Sequence, residues 1–159
     1  MLQLTGMAVT LNTSSSDDSG TPNHIYIGVV GKGGGREFAL DSPKDDFKTG
    51  QQEKFALGFI FEGGVIDSTT KFPKQSDVGK NNDPAFYPLD MDRVDYVYLR
   101  KQGNLTKDSD DAYKLKDVKV VLYGPSAPSK KIFVSANTNP LWIANEHGHV
   151  VYLQETREG

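Results

Sequence analysis

What most constrains this chain is a period. Apolar and β-branched residues recur at alternate positions in short runs, and no window of helical length carries an apolar repeat near 3.6. The runs fall at 7–11, 24–30, 38–40, 53–60, 93–100, 113–123, 132–134, 141–143 and 149–153. Between them lie clusters of Gly, Pro, Ser, Asn and Asp, the residues that reverse a chain. About eight short strands at this spacing predict an all-β fold, an antiparallel eight-stranded β-sandwich.

Length and charge narrow the partners. The 159 residues suit a single domain over 1–159 with a fair-sized core, and leave no room for a second, catalytic domain. A net charge of -3, with 25% charged residues, provides no field suited to nucleic acid. Cysteine is absent, which removes disulfides, thiolate metal sites and thiol nucleophiles together. The first twenty residues carry no basic then apolar export signal, and nowhere do about 18 apolar residues run together. The chain is expected to be soluble, as a mature form or an excised domain.

The stretch 62–90 breaks the pattern. It holds Gly63-Gly64, prolines at 73, 84 and 88, and the polar run Lys80-Asn81-Asn82-Asp83, and it reads as a long loop insertion on the surface. Its aromatics, Phe72, Phe86 and Tyr87, are expected to fold back on the sandwich.

Catalytic machinery is hard to find. The glycine run 31–35 lacks a GxGxxG continuation or a Walker lysine and has no helix after it, so it is a hairpin turn. His147 and His149 could share a strand face, but with His24 remote no third metal ligand is evident. No G-x-S-x-G elbow is present. The acidic run 108–111 does not open an EF-hand, because Tyr113 and Lys119 stand where that loop needs glycine and glutamate. The chain is therefore read as not an enzyme.

Three acidic loops remain, around Asp17-Asp18, from Asp41 to Asp46, and from Asp108 to Asp111. In the second, Pro43 restricts Ser42 to extended conformations and Gly50 permits the reversal into the next strand. Adjacent carboxylates repel unless a cation relieves them, and a hard cation with oxygen ligands does so. If the strands bring the loops to one end, they make a discontinuous calcium site.

At these loops the chain resembles the PLAT (lipoxygenase homology) domain, and most closely the carboxy-terminal domain of clostridial alpha-toxin-type phospholipases C. The resemblance is carried by Asp18-Ser19-Gly20-Thr21 with Ile25-Tyr26-Ile27, and by Leu40-Asp41-Ser42-Pro43-Lys44-Asp45-Asp46-Phe47 with Thr49-Gly50-Gln51. It continues through Val97-Tyr98-Leu99-Arg100-Lys101, Asp111-Ala112-Tyr113-Lys114, Val118-Lys119-Val120 and Trp142-Ile143, in order over nearly the whole chain except the 62–90 insertion.

The resemblance implies a sandwich that binds Ca2+ at one end and docks on a phospholipid membrane surface, placing a partner catalytic or toxin domain on its substrate. The implied metal ligands are the Asp18 carboxylate, the Gly20 carbonyl, Asp45, Asp46 and Asp111. The implied lipid-facing residues are Lys44, Lys48, Leu105 and Lys107, with Leu105 the one large apolar residue of the 102–110 loop. A secreted, extracellular location follows from the same resemblance. Two other functions fit a β-sandwich: a protein-interaction module with the 62–90 excursion as partner surface and calcium only stabilising loops, and a carbohydrate-binding module. The latter is disfavoured because the sole tryptophan, Trp142, reads as core.

Overall fold

The computed structural model describes residues 2–16, 19–21, 24–32, 34–40, 42, 46–73, 82–86, 88–102, 112–144 and 148–157. Its strands are β1 (Gly6–Thr13), β2 (Ile25–Gly31), β3 (Gly34–Ala39), β4 (Gln52–Gly58), β5 (Val94–Lys101), β6 (Tyr113–Tyr123), β7 (Lys130–Ser135), β8 (Leu141–Ile143) and β9 (Val150–Thr156). Among the described residues the helical elements are two 3-10 turns, Gly63–Val65 and Met91–Arg93.

Eight strands form one continuous antiparallel path, β3-β2-β5-β9-β7-β6-β1-β4, curled so that its faces close on a shared core. This is the all-β, eight-stranded arrangement expected from the alternation. The short β8 is additional and, among the described residues, pairs with the start of β6. Inward positions of each strand supply the core: Met7, Val9 and Leu11 of β1, Ile25, Ile27 and Val29 of β2, Val97 and Leu99 of β5, and Leu115, Val118, Val120 and Leu122 of β6. Period-two alternation is what places these on one face.

β6 loses that alternation near its end, where Val120, Val121, Leu122 and Tyr123 are all buried. The cause is a second layer. Ala8, Ala56, Val121, Tyr123 and Ile132 form an outer apolar cluster with Ile60, and Phe61 and Val65 pack against it. Phe61 meets Tyr123 edge-on at 5.3 Å between ring centroids, so the segment leaving β4 covers the outer face of β1, β6 and β7.

The same excursion protects both open edges. On β4, the Lys71 amide donates to Lys54 O (2.7 Å) and the Ala56 amide donates to Lys71 O (3.0 Å). On β3, the Asn82 side chain takes the Ala39 amide (3.0 Å) and donates to the Ala39 carbonyl (2.9 Å). Arg36 donates to the carbonyls of Asp83 and Pro84. Edge strands with unpaired amides invite aggregation, and this segment satisfies part of each edge.

Two expectations are corrected. Phe72 and Phe86 do not fold back: they are 57% and 46% exposed. Phe72 follows Lys71, whose side chain turns inward, so alternation sends the phenyl ring outward. Phe86 closes a turn, its amide donating to Asp83 O. Tyr87 lies outside the described residues. Nor is Trp142 core. It is 36% exposed on β8, opposite Lys114.

The solvent face of β2, β3 and β5 carries a polar network. Arg100 grips Glu37 through Nε (2.8 Å) and Nη2 (2.9 Å), and the Tyr98 hydroxyl donates to Glu37 Oε2 (2.6 Å). The Arg100 hydrogen bond, outweighing partial burial, holds the Glu37 carboxyl below its ordinary value of 4.5. A lowered folded value gives stability that is present above the usual glutamate range and lost as pH falls through the folded one. Glu37→Gln is thus expected to destabilise the protein at neutral pH, with the difference from wild type vanishing in acid. Urea unfolding at a series of pH values checks it, and a pH-independent difference would contradict it.

Candidate functional site

Three connections leave strands at one end of the sheet: β1 to β2, β3 to β4, and β5 to β6. Their described flanks are hydrogen-bonded to one another. Thr21 N donates to Phe47 O (3.0 Å), Gly50 N to Ser14 O (3.0 Å), Lys114 N to Ser19 O (2.9 Å) and Ser14 N to Lys114 O (3.0 Å). Gly20 N donates to Thr49 Oγ1 (2.9 Å). The described flanks of the three acidic runs therefore meet, although they lie far apart in sequence.

Gly20 has to be glycine here. A Cβ at this position would stand 2.6 Å from Phe47 O and 2.9 Å from Thr49 N, both backbone atoms. Gly50, at φ +74°, supplies the reversal into β4 that its position in the sequence implied.

Phe47 is the unexpected residue. It holds φ +60°, a left-handed conformation uncommon for a non-glycine residue, and this strain persists only where surroundings enforce it. Those surroundings are visible. Its ring packs on Phe55 and edge-on against Tyr113, its amide donates to Glu53 Oε2 (2.9 Å), and its carbonyl takes the Thr21 amide. The Tyr113 hydroxyl is in turn hydrogen-bonded to Thr13 Oγ1 (2.6 Å), and burial pushes its pKa up.

Beneath the turn lies a buried ionic cluster. Lys71 Nζ is 2.6 Å from Glu53 Oε2 and 3.0 Å from Asp46 Oδ1, with the two carboxylate side chains 1% and 5% exposed. Burial alone would lower the Lys71 pKa. The hydrogen bonds and charges of Glu53 and Asp46 outweigh it and hold the ammonium above its ordinary value. Asp46 is further tied to Ser42, whose Oγ donates to Oδ1 (2.7 Å) and whose amide donates to Oδ2 (2.8 Å).

Of the residues singled out from sequence, Gly20, Asp46 and Lys48 are described. Gly20 sits at the junction, Asp46 beneath it, and Lys48 is exposed beside it. Asp18, Asp45, Asp111, Lys44, Leu105 and Lys107 lie outside the described residues. Among the described residues there is no group of three or more His, Asp or Glu side chains able to hold a metal. The residue types still fit a hard cation, since carboxylates and a backbone carbonyl are oxygen ligands. A carboxylate offers about four lone-pair positions and Asp46 uses three here, so it can contribute a ligand only through Oδ2.

Sequence reasoning missed Phe47, Glu53 and Lys71 as parts of this site. A signal for Glu53 exists: it shares the inward phase of β4 with Phe55 and Leu57, and a charge at an inward position demands a partner. Nothing local marks Lys71 as that partner.

An antiparallel curled sheet with three interlocked turns at one end defines a class of β module, and the comparisons place it. Residues 7–154 match the family model described as the PLAT/LH2 domain, and the chain belongs to that family. It is 26% identical over 131 residues to a phospholipase C of Clostridium perfringens (strain ATCC 13124), covering 80% of this chain and 26% of that protein. The chain thus spans about a quarter of the length of the curated relatives it matches. Among solved structures it is similar to the alpha toxin of Clostridium absonum, with a TM-score of 0.58 and 25% identity over 96% of this chain and 32% of that one. It is also similar to coral 8R-lipoxygenase, for which calcium activation via a C2-like domain is described, with a TM-score of 0.54 and 15% identity over 94% of this chain and 17% of that one. The last likeness bears on fold alone.

Proposed function

We propose that the chain is a non-catalytic, calcium-dependent membrane-binding module that holds a partner catalytic or toxin domain on phospholipid. The observation that carries this reading is the junction: hydrogen bonds tie the described flanks of all three acidic loops to one another. Membership in the PLAT/LH2 family, typically a lipid-binding module, supports it.

In this reading the Asp18, Asp45 and Asp111 carboxylates and the Gly20 carbonyl hold the ion, with Asp46 contributing through Oδ2. Bound calcium supplies positive charge and open coordination positions for phosphate oxygens. The chain itself fixes the turn through Phe47, Glu53 and Lys71, and Lys44, Lys48 and Lys107 add attraction to anionic headgroups. Leu105 adds apolar contact. The same reading places the protein outside the cell, where modules with weak calcium sites work.

The protein-interaction alternative has one observation in its favour, the exposed Phe72 and Phe86 on the 62–90 segment. Co-sedimentation with phosphatidylcholine vesicles containing phosphatidylserine separates the two. Binding is expected with calcium and is expected to be lost on adding a chelator. Equal, low sedimentation in both conditions counts against membrane docking and favours the interaction reading.

A further inference from the structure

We infer that the tyrosine-lined outer face of β2, β5 and β9 is a binding site for a neutral saccharide. The face runs along the strands, whereas the acidic turns lie at their ends, so this site needs neither calcium nor lipid and stands apart from the docking reading above.

Alternation sends Tyr96 and Tyr98 of β5 to the side opposite Val97 and Leu99, and Tyr152 of β9 is the direct cross-strand partner of Tyr98. The three rings meet. Tyr152 stands edge-on to both neighbours, 5.5 Å from Tyr96 and 6.1 Å from Tyr98 between ring centroids. Tyr98 reaches across the sheet instead, over its partner Gly28, where a Cβ would stand 2.0 Å from the Tyr98 Cζ. One ring is thus a floor and another a wall. Both Tyr152 and Tyr96 remain open to solvent, at 63% and 42% exposure.

The polar groups beside the rings identify the occupant. Arg100 gives Nε and Nη2 to Glu37, and its guanidinium lies 4.3 Å over the Tyr26 ring. Charge on this face is therefore balanced within it, which leaves no field for a phosphate or a nucleic acid. Hydrogen-bonding capacity is left over, because among the described residues Arg100 Nη1 has no acceptor and Glu37 Oε1 takes a single bond. An apolar protein anchor would strip water from these groups and pair none of them. A pyranose meets both demands. Its C–H face stacks on a tyrosine ring, and its hydroxyls, each donor and acceptor, reach the guanidinium and the carboxylate.

Titration with maltotetraose, cellotetraose and mannotetraose at millimolar concentration, with a chelator present and read by amide NMR, tests this. At least one is expected to shift amides within 96–100 and 150–154 while leaving those of Ser14, Gly20 and Phe47 in place. Tyr152→Ala removes an exposed ring and no core, and is expected to weaken that binding about tenfold. Tyr152→Phe should retain it, since the ring does the stacking. No shift with any of the three sugars, shifts at the acidic turns instead, or wild-type affinity in Tyr152→Ala overturns the proposal. Sedimentation equilibrium without sugar tests the rival occupant. A dimer abolished by Tyr152→Ala would show that a second copy of the chain covers this face, and would overturn the proposal as well; a monomer is expected.

Discussion

Lys71→Met is expected to destabilise the fold by about 3–5 kcal/mol at neutral pH, because it removes one partner of a buried ion cluster and leaves the others charged. The Lys71 ammonium is 2.6 Å from Glu53 and 3.0 Å from Asp46, and neither carboxylate has useful access to water. Glu53 Oε1 has no hydrogen-bond partner among the described residues, so Lys71 and the Phe47 amide, both on Oε2, are its described stabilisers. Without the ammonium, the two carboxylates lose the countercharge that offsets their burial. Adding Glu53→Gln to Lys71→Met should restore part of the loss, since an amide carries no uncompensated charge. Urea unfolding of wild type, single and double variants measures all of this. A single variant within about 1 kcal/mol of wild type, inside the range of a surface ion pair, would show that the cluster is solvated.

The position of Lys71 also explains why the 62–90 segment is not an ornament. It supplies the cation beneath the acidic turn, a pairing for the β4 edge, and the Asn82 amide that closes the β3 edge. Its polar, proline-marked sequence concealed these roles, because each is a single side chain meeting a residue distant in the chain. Strands were legible for the opposite reason: alternation is local, and Met7, Val9 and Leu11 point inward whatever they pair with. Where a second layer covers the sheet, as over Val121 and Tyr123, continuous burial replaces alternation and the run still reads as strand. Trp142 misled because size suggests burial, whereas here it stands 36% exposed on a strand only three residues long. The convergence of the turns belongs to topology, which spacing alone does not determine. Family likeness supplied it, and the hydrogen bonds among Ser14, Ser19, Thr21, Phe47 and Lys114 are its physical form.

Gly20→Ala tests that junction with the second large effect. The added methyl would stand 2.6 Å from Phe47 O and 2.9 Å from Thr49 N, and neither backbone atom can swing aside as a flexible side chain would. Phe47 is also held by its own amide, ring and carbonyl, so the first turn must yield. That movement breaks the Gly20 to Thr49 and Thr21 to Phe47 hydrogen bonds, and overpacking of this kind costs about 1–3 kcal/mol. If the turns hold calcium as proposed, its affinity is expected to fall further, by about 10–100-fold, because a shift in residues that orient metal ligands acts on every donor at once. Thr49→Ala removes only the side-chain acceptor for Gly20 N and should cost about 1 kcal/mol, with a smaller loss of affinity. Calorimetric calcium titration and urea unfolding of the two variants separate the effects. If Gly20→Ala weakens the fold while the calcium isotherm stays that of wild type, the ion binds elsewhere, and the meeting of the three turns serves stability alone.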